Sequence, residues 1–231
     1  MERTISLTPS DLNLVTAARL KDCDAVYLGS EFCQNKLPSP ADFKKLRALF
    51  PGRIVTMTAM LSDTGLQKAA DLAAGFLSKQ RSFEIVVNDW GLLALLNKKY
   101  PGKAKPILGR LLMWEIGRME KKFLNSFCKT YAIEAVETDC SEVMEKLKGY
   151  KGRVHFNYPL RFRSVTRFCP LLRKFNSSPC AGACKGAPVK LTNPKVLDEP
   201  LYMRGNAYFT PNRPLKHKSI TRLVETFIPN G

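Results

Sequence analysis

Four cysteines, Cys33 far upstream and Cys169, Cys180 and Cys184 close together near the C-terminus, suit a four-thiolate site. Cys180 and Cys184 are separated by Ala181, Gly182 and Ala183, whose small side chains let the backbone wrap closely around a bound centre, and Cys169 lies eleven positions before Cys180. Soft sulfur donors in tetrahedral array select zinc or an iron-sulfur cluster. Structural zinc sites pair their ligands as two C-x2-4-C knuckles. Here a single pair is joined by two isolated cysteines, a layout that leans toward a 4Fe-4S cluster, with zinc and buried unliganded thiols as the alternatives. Cys23, Cys128 and Cys140 read as helix or loop residues. Seven cysteines, an odd number, in a chain that is 45% hydrophobic argue against a secreted disulfide framework and for reduced thiols.

Arg161, Arg163, Arg167 and Arg173 crowd the stretch that holds Cys169. Guanidinium groups bind carboxylate or phosphate in bidentate fashion, so these residues form a solvated face, offset the charge of a thiolate-bound cluster, or hold a carboxylated or phosphorylated substrate. His155 and Asn157 share one face of the strand VHFNY by period-two alternation and point into a sheet interior or its mouth. Asp89, and Glu137 with Asp139, follow apolar strand-like runs where acid-base groups are placed in barrel enzymes; helix capping explains Asp89 and Asp139 equally well. His217, in PLKHKS, reads as exposed. With two histidines and no H-E-x-x-H, a zinc protease has no support in the sequence. No G-x-S-x-G elbow is present and Ser164 has no identifiable base, so serine peptidase chemistry has no support.

The elements that must position these groups alternate. Short β-type apolar runs occur at residues 5–7, 25–28, 54–57, 84–87, 106–108, 133–137, 154–156 and 223–228, with helical spacing of apolar residues at 10–21, 40–50, 64–78, 90–99, 119–130 and 141–147. Such alternation means parallel strands joined by crossover helices. An open doubly wound sheet and a closed (β/α)8 TIM-type barrel both satisfy it; the absence of G-x-G-x-x-G after the first strand and the eight roughly equal units favour the barrel. One domain spanning residues 1–231 is expected, apparently lacking the last helix because the chain stops just after the last strand. Residues 158–200 break the alternation with Pro, Arg, Cys and Gly and read as a long cysteine-rich functional loop after the seventh strand. LYMRGNAYF, which follows, reads as an extra strand or hairpin.

Lys and Arg total 37 against 20 Asp and Glu, a net charge of +17 that draws polyanions and makes any nucleic-acid binding salt-dependent. The basic residues are spread along the chain rather than gathered in one arm. The N-terminus lacks the pattern of a secretory signal, and no stretch approaches the roughly 18 uninterrupted apolar residues of a membrane span. A cytoplasmic location follows as the expectation.

The stretches VYLGSEFC (26–33), VVNDWGLL (86–93), VHFNYPLRFRSVTRFCPL (154–171) and LYMRGNAYF (201–209) resemble successive landmarks of the U32 family of collagenase-like peptidases, closest to its UbiU and UbiV type. The resemblance implies a barrel that holds a 4Fe-4S cluster on one cysteine after the second strand and three after the seventh. Cys33, Cys169, Cys180 and Cys184 fall on those positions. It further implies oxygen-independent hydroxylation of a ubiquinone precursor and a heteromeric partner of the same family. Relatives hydroxylate cytidine in ribosomal or transfer RNA, drawing on prephenate, which keeps an RNA substrate as the alternative; a metal-stabilised, non-enzymatic scaffold is the third. Two departures stand out: the family's Ser-Lys-Arg after the first cysteine is Gln34-Asn35-Lys36 here, and its Arg-Cys pair is Arg167-Phe168-Cys169.

Overall fold

The computed structural model describes residues 1–78, 81–176, 178–180, 182, 184–195 and 197–229. In chain order the first strands are β1 (Glu2–Leu7), β2 (Ala25–Gly29), β3 (Arg53–Met57) and β4 (Phe83–Val87). They are followed by β5 (Ala104–Leu108), β6 (Ala135–Thr138) and β7 (Arg153–Tyr158). Seven further strands are β8 (Leu160–Val165), β9 (Phe168–Cys169), β10 (Lys174–Phe175), β11 (Val189–Leu191), β12 (Leu201–Arg204), β13 (Ala207–Pro211) and β14 (Ile220–Thr226). β1 to β7 pair in sequence, and β14 pairs in parallel with both β7 and β1, closing an eight-stranded parallel barrel of TIM type. Each of the eight expected apolar runs overlaps one of these barrel strands.

Period-two alternation sorts the strand residues. Ala25, Tyr27, Val55, Met57, Val86, Ile107, Ala135 and Val224 fill the barrel interior. Val26 and Leu28 face the other way and pack with Leu46 and Phe50. The outer ring is α1 (Ala17–Leu20), α2 (Pro40–Leu49), α3 (Asp63–Leu77), α4 (Trp90–Lys99), α5 (Met113–Arg118), α6 (Lys121–Thr130) and α7 (Ser141–Lys146). Local chemistry sets their starts: Ser39 and Asp42 form a reciprocal capping box with Pro40 at the first helical position of α2. Asp89 accepts from the Leu92 amide at 3.1 Å to open α4.

Three expectations need correction. The helix expected at 10–21 is instead a 3-10 turn, Pro9–Asn13, then the single-turn α1. Asp11 accepts from the Thr8 backbone at 2.7 Å and Thr16 adopts an extended backbone, so the helix is interrupted and restarted. A 3-10 turn, Arg110–Leu112, and α5 occupy a stretch where no element was expected. Residues 158–200 are not one long loop. Leu160, Phe162 and Ser164 alternate with Arg161, Arg163 and Val165 along β8, which begins an antiparallel sheet ordered β11-β12-β13-β8. LYMRGNAYF is the β12–β13 hairpin of that sheet, turning at Gly205, whose φ of +65° suits glycine. Among the described residues β14 is the last element of secondary structure, and no helix is long and apolar enough to cross a membrane.

Candidate functional site at the barrel mouth

At the C-terminal ends of the strands, where β/α barrels build their sites, lies a cavity of about 60 Å³ lined by Cys33, Cys169, Cys180 and Cys184 together. Gly29 ends β2 at φ +133°, where a Cβ would sit 2.3 Å from the Met57 carbonyl oxygen; only glycine lets β2 leave the barrel so close to β3. The Ser30 hydroxyl then accepts from the amides of Phe32 and Cys33, both at 3.2 Å, turning Cys33 toward the cavity. Three consecutive side chains tie this turn to the cysteine segment. Gln34 donates to the Asn176 carbonyl at 3.1 Å, Asn35 to the Ser178 carbonyl at 3.0 Å, and Lys36 to the Cys184 carbonyl at 3.2 Å. Asn206, at the tip of the β12–β13 hairpin, donates to the carbonyls of Phe32 at 2.8 Å and Thr166 at 2.6 Å, joining the turn to the strand end that precedes Cys169. Residues 34–36 thus clamp the two halves of the site together.

Cys33 is half-buried, and burial raises its thiol pKa; the neighbouring Cys184 and Cys180 raise it further, while the Asn35 amide and the Lys36 ammonium oppose the shift. Among the described residues no three His, Cys, Asp or Glu side chains stand close enough together to hold a metal ion, so the thiols share one cavity without lying in ligating range. Ala181 and Ala183, expected to ease wrapping, lie outside the described residues.

Two buried ion clusters flank the thiols. Arg110 donates from Nε to Glu31 at 2.9 Å, and from Nη1 to Asp139 at 3.2 Å and the Leu160 carbonyl at 3.1 Å. All three side chains are almost fully buried, and Glu31 and Arg110 line the cavity. Burial raises the carboxyl pKa of Glu31 and of Asp139, with Arg110 pulling both down. Arg204 donates to both Asp11 oxygens, at 2.7 and 2.9 Å, and to the Phe227 carbonyl at 2.9 Å. Sequence reasoning passed over Glu31, Arg110, Arg204 and Asp11. The available signal was position: Glu31 and Arg110 each stand two residues past the end of a barrel strand.

The other expected site residues are placed elsewhere. Arg161 lies 3.1 Å from Cys140 Sγ and 3.1 Å from Glu142, Arg163 pairs with Glu199 at 2.7 Å, and Arg167 and Arg173 are exposed; none of the four lines the cavity. Asp89 caps α4 and accepts from the Leu61 amide at 3.1 Å. His217 and Ser164 are exposed. Asp139 belongs to the Arg110 cluster rather than to a simple cap.

His155 and Asn157 face the barrel interior with Glu137. The Tyr27 hydroxyl is 3.1 Å from His155 Nδ1, Asn157 Nδ2 is 3.4 Å from Glu137 Oε2, and Glu137 Oε1 has no hydrogen-bond partner among the described residues. Burial drives the Glu137 carboxyl up to about 7 against the pull of Arg110, and burial followed by the Arg222 charge drives His155 down to about 3. A buried carboxyl that holds its proton more tightly than the unfolded chain does adds stability below its ordinary value of 4.5, and this is lost as pH rises through about 7. Glu137→Gln is therefore expected to leave stability nearly unchanged at pH 5 and to raise it by roughly 1–3 kcal/mol at pH 8. Denaturant midpoints at the two pH values measure this; the same change at both would show that Glu137 does not titrate in this window.

Fold and cavity together define the class: a closed parallel β/α barrel whose mouth carries a four-cysteine cavity under an added antiparallel sheet. No family model matches the chain, and no curated protein matches it.

Proposed function

We propose that this chain holds a 4Fe-4S cluster on Cys33, Cys169, Cys180 and Cys184 and takes part in an oxygen-independent hydroxylation. A quinone precursor is the substrate class, in line with the resemblance to the UbiU and UbiV type of the U32 family. The observation that carries the reading is the convergence of four thiols on one cavity at the catalytic end of the barrel. The donor set fits the group in kind, since four soft sulfurs are what such a cluster takes. The thiols must draw closer and ionise to ligate it, and the clamps from Gln34, Asn35 and Lys36 already hold the two cysteine-bearing segments against each other. A bound cluster would supply one-electron transfer. The chain itself supplies the walls: Leu160, Phe209 and Phe32 give the cavity an apolar side that excludes water, while Glu31 and Arg110 give it a fixed polar one. A heteromeric partner of the same family belongs to this reading, as does prephenate as a co-substrate.

The test is anaerobic purification followed by an absorbance spectrum with iron, sulfide and zinc analysis. Brown protein with about four irons and four sulfides per chain supports the proposal. Colourless protein carrying zinc leaves a metal-fastened scaffold as the better reading, and colourless protein without metal leaves a binding or structural role. The net charge of +17 favours RNA as the second substrate class. RNA that stays bound through purification and is released steeply by salt would put it first.

A further inference from the structure

Three cations line the cysteine cavity: Lys36, Arg110 and Arg204. Arg110 is matched by Glu31 and Asp139, and Arg204 by Asp11. Lys36 stands apart. Its ammonium donates to the Cys184 carbonyl at 3.2 Å and to the Ser10 hydroxyl at 3.5 Å, and among the described residues no carboxylate lies within ion-pairing distance of it. It is half-buried, so solvent ions screen it less than a surface lysine, and its chain neighbours tie Cys33 to the segment that carries Cys180 and Cys184. The cavity therefore contains one positive charge that no carboxylate among the described residues balances.

A four-thiolate site bearing a 4Fe-4S core is itself a net anion, and becomes more negative by one charge when the core gains an electron. Building on the cluster reading above, we propose that Lys36 is the charge partner of the bound centre: the positioning residue that offsets its negative charge and raises its reduction potential. The arginines that follow β7, which the sequence suggested for this task, do not reach the cavity. Lys36 does so from the opposite side, three residues after Cys33. Net charge near a cluster is one of the levers that set its potential, and the unpaired ammonium acts on the reduced state more strongly than on the oxidised one.

The experiment is an anaerobic redox titration with dithionite as reductant, following the electron paramagnetic resonance signal of the reduced cluster in wild type, Lys36→Gln and Lys36→Arg. The signal arises only from loaded protein, so partial loading does not distort the midpoint. Lys36→Gln is expected to make reduction at least tenfold less favourable, a fall of about 59 mV for one electron, while Lys36→Arg stays near wild type. A Gln variant that loads the cluster with an unchanged midpoint overturns the inference and leaves the cluster reading standing. Loss of the cluster in both the Gln and the Arg variant overturns it too, since Lys36 would then be holding the fold of the site. Wild type that takes up no iron at all removes the cluster reading and this inference with it.

Discussion

Alanine at Cys33, Cys169, Cys180 or Cys184, one position at a time, is expected to abolish the brown chromophore of anaerobically prepared protein and to take bound iron from about four per chain to near zero. Alanine at Cys23, Cys128 or Cys140 is expected to leave both intact. The division follows from placement. The first four line one cavity, and a four-iron cluster missing one thiolate has no spare thiolate there, because the remaining lining groups are apolar side chains, the Met57 thioether, hydroxyls, amides, cations and the Glu31 carboxylate already held by Arg110. The other three have different partners. Cys140 lies 2.9 Å from Glu142 and 3.1 Å from Arg161, Cys128 lies 3.6 Å from the Tyr150 hydroxyl, and Cys23 shares a separate polar hollow with Arg3, Arg19 and Glu225. Iron and sulfide assays with the visible spectrum decide the matter. Retention of a full cluster in the Cys33 variant would break the link across the cavity on which the reading depends, and zinc that follows the same four positions would replace iron as the bound metal.

The barrel was legible because parallel strands buried on both faces read as short apolar runs, and eight of these are spaced by amphipathic stretches. Its boundaries were less so. β14 begins at Ile220, before the expected 223, because Arg222 is drawn into the barrel by Tyr27 and Glu84, and a charged residue there hides the strand. β8 was hidden in the same way: its arginines find carboxylates at Glu142 and Glu199, partners that are far away in the sequence. The four thiols were legible from their type and order, whereas the groups that position them were not. Gln34, Asn35 and Lys36 look like an ordinary polar turn, and their use appears only when Asn176, Ser178 and Cys184 come back against them. Arg110 needed the register of three strands, since Glu31 and Asp139 come from the ends of β2 and β6.

That buried cluster carries the second large expectation. Arg110→Met is expected to cost about 3–5 kcal/mol at pH 8, the usual penalty for removing one partner of a buried ion cluster. Met fills similar space, so the loss reports charge rather than a hole. Glu31 and Asp139 would be left as facing carboxylates, and burial already raises the pKa of each with the guanidinium in place. Without Arg110 both must bind protons to stay buried, so their native-state values rise further above those of the unfolded chain. A carboxyl whose value is raised by folding contributes stability that is present at low pH and lost as pH climbs. The penalty is therefore expected to shrink between pH 8 and pH 5, and the triple variant Arg110→Met, Glu31→Gln, Asp139→Asn is expected to recover most of it, because neutral amides end the repulsion. Urea denaturation at the two pH values reads all of this; a single-variant loss below about 1 kcal/mol at pH 8 would mean that the cluster contributes no more than an exposed pair does. Glu31 sits two residues before Cys33, and its side chain is held by the Nε and Nη2 of Arg110, which the substitution removes, beside the backbone amide of residue 110, which it keeps. Freeing it therefore loosens the turn that aims the first thiol, and Arg110→Met is expected to load less iron at pH 8 than wild type while all four cysteines remain.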